Sequence, residues 1–389
     1  MEIVKEKIDQ TVALLDELGL DCWIVFVRET AMASDPALPM VVGHDVVWQS
    51  FFIYTRGGEA IALVGNFDQE NFKRSGCFTE VHAYTKGVSQ DFRKILNRID
   101  PEQVAVNFST DNVAADGLSH GMFLLLQDYL KKTPYAERLV SAEELISKLR
   151  SRKLPSELAL LEKAATLADE AWQKAVDKIK PGMTERQIGD LIDDLIRQAG
   201  DTPSFPTIVN AGSKSAPGHS LPTDAKVERG DLLHVDFGVR HDNFCSDIQR
   251  LVYFKRPSEA SAPEGLQRAF DTVSGIITET ATLCKPGVKG YRVDSRARQR
   301  LKEAGYPEYQ HALGHQLGRD VHDGGAIIGP CWERYGVTPT IPLEAGNAFT
   351  LELEIMLPET GCAGLEEDVA VTDAGARFLG PRQTELTVK

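Results

Sequence analysis

Two stretches of this chain set acids inside apolar strands. Leu232-Leu233-His234-Val235-Asp236-Phe237-Gly238 and Phe244-Cys245-Ser246-Asp247-Ile248-Gln249-Arg250-Leu251-Val252 read as the arms of a hairpin. A turn centred on His241-Asp242 sets Asp236 opposite Asp247 on one side of the sheet. The pattern returns near the C-terminus. Ala348–Ile355 and Cys362–Val369 flank Pro358-Glu359-Thr360-Gly361, and a turn centred on Glu359 sets Glu352 opposite Glu366. Carboxylates at cross-strand distance among apolar neighbours repel each other and lose hydration, so they must hold protons or surround cations. Between the hairpins runs Gly314-His315-Gln316-Leu317-Gly318-Arg319-Asp320-Val321-His322-Asp323-Gly324-Gly325, whose glycines argue against a regular helix and let backbone approach a site closely. One imidazole with four carboxylates is a hard, oxygen-rich donor set. It suits a pair of divalent ions, Mn²⁺ or Co²⁺ first and Zn²⁺ or Fe²⁺ next, better than a thiolate zinc site does. Two such ions offset four carboxylate charges, where one would leave half of them uncompensated.

Other chemistries lack their parts. The six cysteines are scattered, with no CxxC pair, which reads as reduced buried thiols in a chain this long. No GxSxG, HExxH or GxGxxG is present, and Gly212-Ser213-Lys214-Ser215 imitates the end of a phosphate loop without its glycine spacing. A single aspartate in a strand is ordinarily an edge or turn residue. The reading rests on two matched acid pairs together with the histidines between them.

The elements that must position these groups fall into two domains. In residues 1–150 a helical pattern (Ile8, Val12, Leu15, Leu18) stops at Gly19 and is followed by a buried strand at 22–27. A hairpin then flanks Arg56-Gly57-Gly58, a helix spans 91–99, a strand spans 104–108, and helical patterns cover 113–132 and 141–149. This is an α/β domain. Pro155 suits the first turn of a long helix opening the second domain, residues 151–389. That domain carries an internal echo. Lys180-Pro181-Gly182 precedes a helix that closes at Ala199-Gly200, and Lys285-Pro286-Gly287 precedes one that closes at Ala304-Gly305, all at an offset of 105. A shared offset points to two similar α+β halves.

Composition narrows the function classes. The chain has 389 residues, 42% of them hydrophobic, and a formal net charge of −14. Residues 1–150 hold 15 basic and 22 acidic side chains against 28 and 35 in the rest, so each domain is at −7 and neither offers the basic face that nucleic acid requires. No apolar run reaches the length of a membrane span, and the charged start is unlike a signal peptide. A cytoplasmic protein with no nucleic-acid or membrane partner is expected.

At the residues singled out above, the chain resembles the pita-bread metallopeptidases, a family that includes methionine aminopeptidase, aminopeptidase P, prolidase and the metal-free creatinase. The family's ligand order is Asp, Asp, His, Glu, Glu. Asp236 and Asp247 match the first pair, and Gly314 through His322 match its G-H-x-x-G-x-x-x-H segment. Thr350-Leu351-Glu352 matches T-x-E, and Glu366 stands before another acid and the strand Val369-Ala370-Val371-Thr372. A separate N-terminal α/β domain is the layout of the aminopeptidase P, prolidase and creatinase branch. The resemblance implies a fold of an N-terminal α/β domain plus a duplicated α+β pita-bread catalytic domain. It implies metal ligation by Asp236, Asp247, His315, Glu352 and Glu366, with Asp247 and Glu366 as candidate bridges and Glu352 as proton shuttle. His219 and His322 would contact the substrate or the developing oxyanion, and Arg334 would meet a substrate carboxylate. The implied activity is hydrolysis on the amino side of proline in a short peptide, by a hydroxide held between two ions, in a homodimer. A creatinase-like C–N hydrolase and an inert binding module are the alternatives. The chain departs from the family at Glu352-Leu353-Glu354, where an E-P-G turn is usual, at Glu366-Glu367, usually Glu-Asp, and at Asp323, often Glu.

Overall fold

The strand Cys22–Val27 is buried at every position, a pattern that arises when both faces of a sheet are covered. In the computed structural model, which describes residues 1–214 and 220–389, it is the centre of a mixed six-stranded sheet. The strand order is Glu80–Tyr84, Ala60–Gly65, Ser50–Thr55, Cys22–Val27, Val104–Val106, Leu139–Ser141. Trp23 and Val25 pack on one face with Val4, Ile8 and Leu15 of the helix Glu2–Leu18. Ile24 and Phe26 pack on the other with Phe92 and Leu126 from the helices Ser89–Ile99 and His120–Leu130. Gly19 ends the first helix in the left-handed region, φ 67°. The single helix expected over 113–132 is instead a short turn, Val113–Ala115, followed by His120–Leu130. The break has a cause: at Gly117 a Cβ would stand 2.0 Å from the Asp35 carboxylate, and Ser119 caps the second helix by accepting from the Met122 N–H.

The chain divides into two units, Met1–Arg150 and Ser151–Lys389. In the second, the helix Pro155–Lys178 starts on its proline, and the repeat read from the sequence is a structural one. Helices Glu185–Gln198 and Gly290–Glu303 occupy equivalent places. The glycines before and after them, Gly182 and Gly200 in one half and Gly287 and Gly305 in the other, all have φ between 81° and 96°. The pairing matches too: Gly182 N–H donates to the Val227 carbonyl and Gly287 N–H to that of Leu343, each at 2.8 Å. Each half packs its helices on its own strands. Trp172, Ile188 and Ile192 meet Val209 and Val235, while Phe270, Ile277 and Val293 meet Leu351, Leu353 and Val369. The halves join in one sheet, ordered Ala348–Leu357, Gly361–Thr372, Ile248–Tyr253, Leu232–Phe237, Ile208–Ala211. No helix of the described residues is long and apolar enough to cross a membrane.

The glycine-rich segment is not free. Thr350 N–H donates to the His315 carbonyl (2.9 Å), Leu317 N–H to that of Ala348 (3.1 Å) and Glu352 N–H to that of Leu313 (2.7 Å), so residues 313–317 run along the strand Ala348–Leu357. Gly314 allows this approach, since a Cβ there would stand 1.9 Å from the Thr350 carbonyl oxygen. Further on, the segment closes over a buried ion pair, Lys153 Nζ to Asp323 Oδ2 at 2.8 Å, with both side chains at most 3% exposed. Gly318 fits directly against that pair. Replacing Lys153 by Met removes the ammonium 2.8 Å from the buried Asp323 carboxylate, and the expected loss is on the order of 3 kcal/mol in urea unfolding. Adding Asp323→Leu to that variant should recover most of it.

Candidate metal centre

The strand registers line up four side chains across four strands. Glu352 is opposite Glu366, Glu366 is opposite Gln249, and Gln249 is opposite Asp236. Residues paired in this way share a face of the sheet. The second hairpin has the expected register, centred on Glu359 with Leu357 paired to Gly361. The first does not. Its turn is Asp242-Asn243, both at positive φ (46° and 64°), with His241 paired to Phe244. That is the two-residue hairpin loop whose twist matches the strands, and Asp and Asn are the non-glycine residues that tolerate it best. The turn therefore lies one residue further along than expected, and Gln249, not Asp247, stands opposite Asp236.

Asp247 reaches the same site by leaving the ladder. The strand breaks at Ser246-Asp247, and there the Ser246 carbonyl approaches Gly238 so closely that a Cβ would be 1.8 Å away. The Asp247 N–H donates instead to Asp368 Oδ2 at 3.2 Å. The carboxyls of Asp247 and Asp236 are near enough to influence each other electrostatically. His315 arrives from the loop: its N–H donates to Thr350 Oγ1 (3.3 Å), and its Nδ1 meets the Gln316 carbonyl (3.2 Å). That contact places the ring hydrogen on Nδ1 and leaves Nε2 as a donor atom for a metal. Nε2 lies 3.6 Å from Asp247 Oδ2 and 3.8 Å from Glu366 Oε1.

Asp236, Asp247, His315, Glu352 and Glu366 line one cavity of about 460 Å³, together with His322 and the apolar Phe205, Pro206, Ile208, Leu221 and Val321. The His322 ring stands edge-on to His315 with centroids 4.4 Å apart. A second cavity, of about 450 Å³, shares His315, His322 and Glu352 and adds His311 and Tyr335. Burial pushes the Asp236 carboxyl up to about 7 and that of Glu352 up to about 8. It holds Asp247 and Glu366 well above the usual carboxylate range, and the neighbouring acids add to the effect.

These residues fit divalent cations. Donor atoms of Asp247, His315 and Glu366 lie within 4.8 Å of one another. Asp236 Oδ1, Asp247 Oδ1 and Glu366 Oε1 are buried with no hydrogen-bond partner, an arrangement that costs free energy unless something else accepts their lone pairs.

Two sequence expectations need separate mention. His219 lies outside the described residues. Arg334 is not brought to the cavity: it is exposed, its guanidinium lies 4.8 Å from the Trp332 ring and 4.9 Å from that of Tyr335, and it donates to the Gln310 carbonyl. Stacking on two rings holds the charge at the surface, away from the residues that line the acid cavity. The arginine that does line the cavity is Arg240, which sequence reasoning missed. It donates to the Arg319 carbonyl at 2.7 Å, and no carboxylate of the described residues pairs with it. Its position in the hairpin, four residues past Asp236, was the available signal.

A duplicated α+β domain thus presents buried carboxylates and an imidazole to one cavity, a donor set suited to divalent cations. The chain belongs to metallopeptidase family M24, whose profile matches residues 159–373. It is 26% identical to an Xaa-Pro dipeptidase of Pyrococcus furiosus over 386 residues, covering 98% of this chain and all of that one. It is 33% identical to the uncharacterized peptidase YqhT of Bacillus subtilis over 252 residues, or 64% of this chain and 68% of that one. Among solved structures, an Xaa-Pro dipeptidase from Bacillus anthracis superposes with a TM-score of 0.77 at 23% identity, covering 99% of this chain and 100% of that one. An X-Pro aminopeptidase from Thermotoga maritima has the same TM-score at 24% identity, with coverage of 96% and 99%. The fold of the second unit is the pita-bread fold.

The raised carboxyls have a measurable consequence. Between their ordinary values near 4 and the raised values near 7 and 8, the folded, metal-stripped protein holds protons that the unfolded chain releases. Its stability therefore falls as pH rises through that window. Urea midpoints of EDTA-treated protein should drop between about pH 5 and about pH 8.5, and added Mn²⁺ should remove the drop, because ions bind the deprotonated ligands.

Proposed function

We propose that this metallopeptidase hydrolyses the peptide bond on the amino side of proline in a short peptide, with two divalent ions held by Asp236, Asp247, His315, Glu352 and Glu366. The observation that carries this reading is that all five side chains line a single cavity, in a chain matched from end to end by an Xaa-Pro dipeptidase. Bound there, a metal pair supplies an acidified water and a polarised scissile carbonyl.

The protein's own residues supply the rest. Glu352, whose carboxyl accepts from the Tyr309 hydroxyl at 3.4 Å, carries a proton from the attacking water to the leaving nitrogen. His322, beside His315, donates to the oxyanion that forms. The apolar wall of Phe205, Pro206 and Leu221 excludes water and receives the pyrrolidine ring. Arg240, the cavity's guanidinium, meets the free carboxylate of a dipeptide, which favours dipeptidase over aminopeptidase action.

EDTA should abolish hydrolysis of Gly-Pro, and Mn²⁺ or Co²⁺ should restore it. Metal-free turnover of a small guanidino substrate would point to the C–N hydrolase instead, and a metallated protein inert towards every Xaa-Pro peptide would point to a binding module. In the active enzyme, Arg240→Gln should lower kcat/KM for Gly-Pro by about 10- to 100-fold, the worth of one charge-assisted contact. The same variant should leave Gly-Pro amide nearly unchanged. Equal losses on both substrates would remove Arg240 from the carboxylate subsite.

A further inference from the structure

Between Glu366 and Asp236, the row of acids is interrupted by a neutral side chain. Gln249 is backbone-paired to both of its acidic neighbours and only 7% exposed. Its Nε2 donates to Glu366 Oε2 at 2.7 Å. Its Oε1 lies 2.8 Å from His234 Nε2, and His234 Nδ1 lies 3.1 Å from Asn210 Nδ2. His234 and Asn210 are as buried as Gln249.

The chemistry of the groups fixes the direction of this chain. A carboxylate only accepts, so the amide nitrogen must face Glu366 and the amide oxygen must face the imidazole. Nε2 of His234 must then carry the ring hydrogen, which leaves Nδ1 to accept from Asn210. Every hydrogen points towards Glu366. Space has been left for the arrangement: at Gly364, a Cβ would stand 2.7 Å from Gln249 Oε1 and 2.9 Å from His234 Nε2. The chain ends on one oxygen of Glu366, while the other, Oε1, is buried without a hydrogen bond and is the atom 3.8 Å from His315 Nε2.

We propose that Gln249 is a positioning residue for the metal centre: its amide, aligned by His234 and Asn210, ties down one oxygen of Glu366 and turns the other towards the cations. The role rests on the metal-binding reading given above. Groups that orient a ligand in this way are worth about 10- to 100-fold in metal affinity, whereas hydrogen bonds that only satisfy buried atoms affect folding alone.

The test is titration of the full-length, EDTA-stripped and dialysed protein with Mn²⁺ by calorimetry, with the visible absorption of the Co²⁺ form as a second readout. Gln249→Met keeps the length of the side chain and removes the donor. It should weaken Mn²⁺ binding about 10- to 100-fold and shift the Co²⁺ bands. His234→Gln keeps a donor in place of Nε2–H and should stay within about threefold of wild type, while His234→Leu should follow Gln249→Met. Should Gln249→Met fail to fold, the two His234 variants give the same comparison. Wild-type affinity and spectrum in Gln249→Met, or in His234→Leu, overturn the role of Gln249 and leave the metal site standing. A wild-type protein that takes up neither ion overturns both.

Discussion

Repulsion among carboxylates withdrawn from water is the constraint around which the catalytic unit is organised. Three strands and the break at Ser246-Asp247 bring Asp236, Asp247, Glu352 and Glu366 to one cavity, where each would be cheaper to hydrate separately. A sheet can hold such a group because its registers are fixed by side chains elsewhere. The apolar faces of Leu351, Leu353 and Val369 are committed to the helices behind them, so the strands cannot slip to separate the acids. Packing energy spread over two helix layers thus keeps a locally unfavourable arrangement together, as expected for a site built to receive cations.

Much of this was legible in the residues. The C-terminal hairpin could be registered from its sequence because its three-residue connection is symmetric about Glu359. The duplicated helices announced themselves through four glycines that need positive φ. The N-terminal hairpin was misread because His241, Asp242 and Asn243 are all polar, and only the backbone preference for a left-handed pair at Asp242-Asn243 separates one centre from the next. That single step hid Gln249 from view. Asp247 still lines the cavity, but from a break in the ladder and not through the strand pairing expected of it. The place of Arg334 outside the acid cavity was not legible for another reason: loop arginines carry no periodic signal, although the aromatic pair that holds it, Trp332 and Tyr335, is its immediate neighbourhood in sequence.

The two halves share a frame but not a chemistry. Each contributes a helix pair and a hairpin bearing acids, yet one hairpin is regular throughout, while the other breaks at Ser246-Asp247 and gains an aspartate from outside its ladder. The histidine belongs to neither hairpin and is borrowed from a loop stitched along a strand. Symmetry supplies the platform, and local departures from it differentiate the donors.

The short stretch ahead of the long helix has a larger part than its length suggests. Ser151, Arg152 and Lys153 precede both the helix and the residues matched by the family profile. Arg152 grips Glu344 with two contacts, at 2.7 and 2.9 Å, the Ser151 carbonyl accepts from Asn347 at 3.1 Å, and Lys153 reaches Asp323. Through them the beginning of the unit is pinned to the residues leading into the strand Ala348–Leu357 and to the segment bearing His315 and His322. A catalytic unit cut to open at Pro155 would retain all five acid and imidazole groups of the cavity and lose the contacts that Ser151, Arg152 and Lys153 make to Asn347, Glu344 and Asp323.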